Sequence, residues 1–347
     1  MPEFAVDLFS DTITRPTPAM REAIARAEVG DEQKREDPTV NRLQDLTAEL
    51  AGHEAALFLP TGTMCNLIAH AVHCRPGDEI ILEANSHPVH FEGGGPAVHS
   101  RASLRGIPTA RGIFSAADVE AAVRAPDPHF PRSRLVCVEN THNMGGGTVW
   151  PLDALRDVAA AARRLNLKLH LDGARLMNAV VASGVPAKTI CGLFDSAWID
   201  LTKGLGCPVG AVLTGPRDFI EEARRYKHLF GGAMRQAGII AAAGVHALQH
   251  HVARLAEDHA NAKRLARGLA EIRGVSCDPA AVETNIILFD IAAAGLTRAE
   301  FLRRIESAGV RMSSGVRPTV VRAVTHLDVP PDGIDRALSA VRAACAG

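Results

Sequence analysis

The sequence has almost no net charge, no C-x-x-C pair and no long apolar run free of polar breaks, and each shortage closes off a class of protein. Its 38 lysines and arginines against 39 aspartates and glutamates leave a formal charge of −1 over 347 residues. No positive surplus exists to neutralise nucleic-acid phosphates or an anionic bilayer, so neither nucleic acid nor membrane is an expected partner. The seven cysteines, at 65, 74, 137, 191, 207, 277 and 345, are odd in number and widely spaced, which argues against a disulfide framework or a structural zinc site. No metal site is expected. Residues 55–74 and 236–253 carry no Asp, Glu, Lys or Arg, but Pro60, Gly62, Asn66 and several histidines interrupt them, so neither reads as a hydrocarbon-spanning helix. The opening MPEFAVDLFSD shows early acids and no basic segment ahead of an apolar one, so no secretory signal is expected and a cytoplasmic location is.

Repeats are also missing, as are nucleotide-binding signatures: no G-K-[ST] follows a glycine-rich turn and no G-x-G-x-x-G follows the first strand-like run. What is present is an ordinary globular composition, 47% hydrophobic and 22% charged, in a chain long enough for about two domains. Short runs rich in Val, Ile and Leu at 55–59, 79–82, 135–138, 167–171, 196–201 and 209–213 alternate with helix-length amphipathic segments. That alternation predicts an α/β fold with a large domain, a mostly parallel sheet flanked by helices. Beyond Arg235 the pattern changes to one apolar stripe through Val245, Leu248, Val252, Leu255, Ala262, Leu265, Leu269 and Ile272, predicting one long helix or two nearly continuous ones. TNIILFDI, AEFLRRIESAGV, VRAVTH and PDGIDRALSAVRAACA then read as strand, helix, strand and helix. The expected division is a large domain over 1–246 and a small C-terminal α+β domain over 247–347.

The residues able to carry chemistry gather at strand exits. Lys203, in WIDLTKGLGCPVG, closes an apolar run and opens a glycine-rich loop, at the carboxyl edge where open α/β sheets bind ligands. A desolvated lysine there can engage a carbonyl as a neutral amine; taken alone it is equally a strand running out into water. Asp172, in HLDGARLMNA, lies 31 residues earlier, about one crossover away, so the two side chains can emerge on one edge. A carboxylate beside a lysine is what pyridoxal phosphate requires, one for its ring nitrogen and one for its aldehyde, although Asp172 also fits an ordinary helix cap. In FLPTGTMCN, Gly62 and Thr63 open a helix whose amides and dipole suit a phosphate, or simply a threonine cap. His87 in HPVHFEGGG and His142 in ENTHNMGGG occupy further strand-exit loops, placed to stack on a ring or to act on a substrate hydroxyl. Arg175, Arg235 and Arg322 are the arginines positioned to grip a carboxylate or phosphate in a fork.

These segments occur in order along nearly the whole chain, with DLFSDTITRPTPAMREAI, EDPTVNRLQDL, GGAMRQAGI, ETNI and VRAVTHLDV added, and together they resemble the threonine aldolase family. That resemblance implies pyridoxal 5'-phosphate as cofactor, the fold type I of such enzymes, and a homotetramer of dimers with shared sites. It implies Lys203 as the lysine that bonds the cofactor, Asp172 at the ring nitrogen, Gly62 and Thr63 at the phosphate, and Arg235 at a phosphate across a subunit boundary. His87 would stack on the ring, His142 approach the β-hydroxyl, and Arg175 stand by the phenolic oxygen and the substrate carboxylate, which Ser10 and Arg322 also hold. The implied reaction cleaves L-threonine, L-allo-threonine or a related amino-acid substrate to glycine and an aldehyde. Phe9, Gln33-Lys34-Arg35 and Phe91 depart from the family's usual Arg, V-Y-G and Tyr. A β-eliminating lyase or racemase would use the same lysine, aspartate and phosphate cup; a nicotinamide oxidoreductase lacks its glycine fingerprint, and a catalytically silent amino-acid sensor is the remaining alternative.

Overall fold

The computed structural model describes residues 4–346. Twelve strands run through them: β1 (Val6–Asp7), β2 (Ala55–Leu59), β3 (Asp78–Glu83), β4 (Ser103–Ile107), β5 (Arg132–Glu139), β6 (Lys168–Asp172), β7 (Ser196–Asp200), β8 (Ala211–Gly215), β9 (Ile286–Asp290), β10 (Val310–Arg311), β11 (Ser313–Ser314) and β12 (Val320–Val324). Seven of them form one sheet in the order β2-β8-β7-β6-β5-β3-β4. β8 pairs antiparallel with both neighbours while every other pairing is parallel, so the expected mostly parallel sheet is present. β3, β7 and β8 are buried along their whole length, which is why they read as continuous apolar runs rather than alternating ones. β4 was not among the runs read from the sequence; SLRGI sits at the sheet edge, half exposed, with a charge at its centre.

One consequence of the parallel direction matters most for chemistry. The carboxyl ends of β2, β3, β5, β6 and β7 all finish on the same edge, which brings Leu59, Glu83, Glu139, Asp172 and Asp200 to one side of the molecule. Glu139 and Asp172 are register partners on adjacent strands. The turn after Asp172 passes so close beneath β7 that a Cβ on Gly173 would fall 1.8 Å from the Trp198 carbonyl oxygen; only glycine permits that approach.

A second core is built from the helices Leu255–Ala270, Arg298–Ser307 and Pro331–Ala346 with a three-stranded antiparallel sheet, β11-β12-β9. The apolar stripe beyond Arg235 resolves into two helices, Gly238–His250 and Leu255–Ala270, separated by a turn at 251–254; residue 246 lies inside the first. Val6 and Leu8, from the beginning of the chain, also belong to this second core, because β1 pairs in parallel with β10. Among the described residues no helix is long and apolar enough to cross a membrane.

Leu8 is fully buried there, its N–H donating to the Arg311 carbonyl at 2.8 Å and its own carbonyl accepting from Val324 N–H at 2.9 Å. Leu8→Ala should therefore destabilise the C-terminal unit by about 2–5 kcal/mol. Chemical denaturation followed by helix content checks this; a change under about 1 kcal/mol would mean that the N-terminal strand is not an integral part of that core.

Candidate active site

Alternation along the strands places Ser196, Trp198 and Asp200 of β7 on one face, with His170 and Asp172 of β6 and Cys137 and Glu139 of β5 beside them. The helix Gly62–His73 covers that face. Asp172 is fully buried. One carboxylate oxygen accepts from the Ala174 N–H at 3.0 Å and the other from Asn66 Nδ2 at 2.8 Å. Burial, then repulsion from Glu139, raise its pKa to about 6 against the opposing pull of His87. Neither hydrogen-bond partner is a cation, so a cationic ring nitrogen brought here would supply the charged donor that the carboxylate's hydrogen bonds lack.

Lys203 lies three residues past β7, in the loop rather than at the strand's last position. Its ammonium is mostly buried, 2.9 Å from Asp200 Oδ2 and 5.6 Å from the centre of the Trp198 ring. The helix facing it begins at Gly62, where a Cβ would sit 2.3 Å from the Trp198 indole and 3.1 Å from Asp200 Oδ2. Glycine is thus required for the helix end to come down on the lysine's surroundings. Thr61 caps this helix, accepting from Met64 N–H at 3.1 Å; the cap reading holds, and it leaves the first-turn amides of Gly62 and Thr63 outside the helical ladder and open to an anion.

His87 donates its backbone N–H to Glu139 Oε2 at 2.8 Å, and its Nδ1 lies 3.0 Å from Glu92 Oε1. A third of its ring is exposed, tilted against half-exposed Phe91 with centroids 5.5 Å apart. Burial opposes its protonation, but the Glu92 contact and the Asp172, Glu92 and Glu139 charges outweigh this and raise its pKa. His142 is buried. Its Nδ1 accepts from Gly145 N–H at 3.0 Å, which places its proton on Nε2, 3.1 Å from Glu83 Oε2. Both of its ring nitrogens therefore face this chain's own groups.

A guanidinium pair forms the other wall. Arg175 grips Asp11 in a fork, 2.7 Å at each prong, and although burial works the other way, this fork holds the Asp11 carboxyl well below the usual carboxylate range. Arg322 donates to Asn143 Oδ1 at 2.9 Å and to the Phe9 carbonyl at 3.3 Å, and Asn143 also lies 3.5 Å from Arg175 Nη1. Burial and the nearby Arg175 charge bring Arg322 down to about 10, and its Nε is a buried donor with no partner. A carboxylate would satisfy it. Ser10 is buried alongside, its hydroxyl accepting from Thr12 Oγ1 at 2.9 Å. Arg235 stands apart from this assembly, largely exposed and paired with Asp31 at 2.8 Å. Of the three departures, Phe9 lies exposed over Arg311, its ring centre 4.8 Å from the guanidinium carbon. Arg35 takes a left-handed backbone, φ 62°, and pairs with Glu221.

The residues present fit the pyridoxal phosphate implied by the sequence resemblance: an amine, a carboxylate without a cation and a helix end for phosphate occur at one edge of the large sheet, and an unpaired arginine donor stands on β12 of the small sheet beside Asn143. Sequence reading missed Asn66, Glu92, Glu139, Asp11 and Asn143. Asn66 is one polar residue inside an uncharged helix, and the acids give no signal until the strands are aligned in register.

Relative to Asp172→Asn, which has no proton to exchange there, the cofactor-free protein should lose stability as pH rises. The folded-state pKa is raised, so its stabilising contribution is complete below the unfolded value of about 4 and is lost as pH passes about 6. Unfolding midpoints of both proteins across this window check it; parallel curves would show that Asp172 titrates normally.

The family model "Beta-eliminating lyase" matches residues 7–293. The chain is 41% identical to low-specificity L-threonine aldolase 1 of Arabidopsis thaliana, covering 96% of this chain and 95% of that protein. It is 43% identical to the low specificity L-threonine aldolase of Escherichia coli K12, over 93% and 94%. A solved threonine aldolase from Leishmania major superposes with a TM-score of 0.84 at 22% identity, over 98% of this chain and 99% of that one, a likeness of fold. With the family match spanning most of the chain and these relatives aligned almost end to end, the chain belongs to the beta-eliminating lyase family, in its threonine aldolase branch.

Proposed function

We propose that this chain is a pyridoxal-phosphate-dependent L-threonine aldolase, a carbon–carbon lyase that cleaves L-threonine, L-allo-threonine and related L-β-hydroxy-α-amino acids to glycine and an aldehyde. The observation that carries the reading is that buried Asp172, with no cation in its hydrogen bonds, and Lys203, held by Asp200, stand beside the ends of the neighbouring strands β6 and β7. When bound, the cofactor supplies an electron sink for the pair released from the breaking Cα–Cβ bond.

The chain's own residues do the rest. Lys203 would hold the cofactor through its aldehyde group. Asp172 keeps a proton on the ring nitrogen, and the Gly62 and Thr63 amides hold the phosphate with help from a partner subunit's arginine at position 235. Arg175, Arg322 and Ser10 fix the substrate carboxylate and so set which bond at Cα is aligned for cleavage. His87 covers the ring and its Nε2 takes the β-hydroxyl proton; His142, enclosed by Glu83 and Gly145, braces the loop beneath the substrate hydroxyl. The chain works as a large cofactor-binding unit, its division from the C-terminal unit expected at 246/247, and a smaller unit that takes in Val6 and Leu8 and supplies Arg322, in a cytoplasmic homotetramer whose dimers share sites. Arg235's exposure supports the shared site.

The test is product identity. Glycine and acetaldehyde from L-threonine support the reading; pyruvate with ammonia, or D-amino acid, would replace it with the eliminating lyase or racemase. Lys203→Ala should lower aldehyde release by on the order of 10⁴-fold and remove the holoenzyme's visible absorbance; retention of both would dismiss the lysine.

A base works only when deprotonated, so the acid limb of kcat/KM should lie above the ordinary histidine value, following the raised pKa of His87. Glu92→Gln should move that limb to lower pH, and His87→Asn should cost kcat about 10²- to 10⁴-fold. A limb unmoved by Glu92→Gln would assign the proton transfer elsewhere.

A further inference from the structure

Behind Asp172 lies a run of polar groups whose only determined hydrogen is an indole N–H. Trp198 Nε1 lies 2.8 Å from Asn66 Oδ1. Indole can only donate, so this contact fixes which end of the Asn66 amide is oxygen. The Nδ2 end must then point at the two carboxylates, and it does, 2.7 Å from Glu92 Oε1 and 2.8 Å from Asp172 Oδ2. His170 Nε2 also faces Asn66 Oδ1, at 3.2 Å, so it must carry a proton and leave Nδ1 as an acceptor. Ser196 Oγ, 2.7 Å from that Nδ1, donates to it, and its lone pair accepts from His73 Nε2 at 2.7 Å. Every donor in the series points the same way, from His73 towards Asp172 and Glu92. The β6–β7 register, which pairs His170 with Ser196, holds the middle of it in place.

We propose that Trp198 and His170 are positioning residues for the aldol cleavage: by donating together to Asn66 Oδ1 they lock the amide whose Nδ2 holds Asp172 ionised at the cofactor's ring nitrogen and, through Glu92, sets His87 against the ring. The inference rests on the reading of the chain as a pyridoxal-phosphate enzyme. The series is kept neutral, which an oriented dipole chain needs: burial lowers His73 to about 3, and burial with its histidine neighbours takes His170 well below the ordinary value. Asn66 Nδ2 favours the ionised form of Asp172 against burial and Glu139. A flipped amide would present oxygen to both carboxylates and reverse that effect. Facing Asp172 are Glu139 and the Cys137 thiol from β5, His87 and Glu92 from the segment after β3, and the Cys65 thiol from the helix that carries Asn66. Lys203 and Asp200 stand in the next loop. Burial keeps both thiols protonated.

Holoenzyme reconstituted with pyridoxal phosphate carrying ¹⁵N in its ring reports the nitrogen's protonation by its chemical shift. In Trp198→Phe and His170→Leu the pH at which that nitrogen loses its proton should fall by about one unit, with kcat lowered roughly 10- to 100-fold and KM little changed. His170→Gln, whose amide can donate to Asn66 and accept from Ser196, should restore the wild-type titration. Should His170→Leu fail to fold, Trp198→Phe and His170→Gln still decide the matter. Variants that lose thermal stability yet keep the wild-type nitrogen titration would overturn the proposal while leaving the enzyme's function standing. Wild-type protein that binds no cofactor would overturn the function and the proposal with it.

Discussion

A buried carboxylate without a cation is the constraint around which this protein is arranged. Asp172 sits at the end of a central strand, fully enclosed, with Glu139 opposite it in register and Glu92 reached through the same asparagine. Burying negative charge in this way is costly unless a positive partner arrives. The fold meets part of that cost with neutral donors, the Ala174 amide and Asn66, and the rest falls to the ring nitrogen proposed to bind there. Stability and function are therefore in opposition at this position, as they commonly are where a site is prepared for a ligand.

The remaining parts of the site follow from the sheet. Parallel strands deliver Asp172, Glu139 and the Lys203 loop to one edge, and the helix Gly62–His73 lies across the same face. That helix contributes twice: its first turn offers free amides next to Lys203, and Asn66, one turn on, holds Asp172 and Glu92. The guanidinium wall draws on both units, with Arg175 following β6 of the large sheet. Arg322 comes from β12 and Ser10 from the N-terminal segment, while Asp11, clamped by Arg175, is also held by Asn285 Nδ2 at 3.0 Å. The proposed place of the substrate carboxylate is therefore where the two cores meet, a common location for small-molecule sites.

Much of this was legible beforehand because burial on both faces leaves a plain mark. The six apolar runs are six strands of the large sheet, and the end positions of two of them pointed to Asp172 and Lys203. The signal failed where a residue's importance depends on what lies across from it. Asn66 reads as a flaw in an apolar helix, Trp198 as core, and His170 as an oddity in a strand. Only register and the covering helix make them one network. The two-residue strand β1 is too short to carry a period, so its place in the C-terminal core was invisible. Arg235 is largely exposed and pairs with Asp31.

Asp172 is the point on which the account turns, and binding to the cofactor-free protein examines it without requiring turnover. Affinity for pyridoxal phosphate should be compared with that for its analogue in which the ring nitrogen is replaced by carbon, in wild-type protein and in Asp172→Asn. The wild type should prefer the nitrogen-containing ring by at least about tenfold, since a buried charge-assisted hydrogen bond is worth roughly 1.5–3 kcal/mol, and the preference should collapse in the variant. Equal affinity of the wild type for both rings would contradict it.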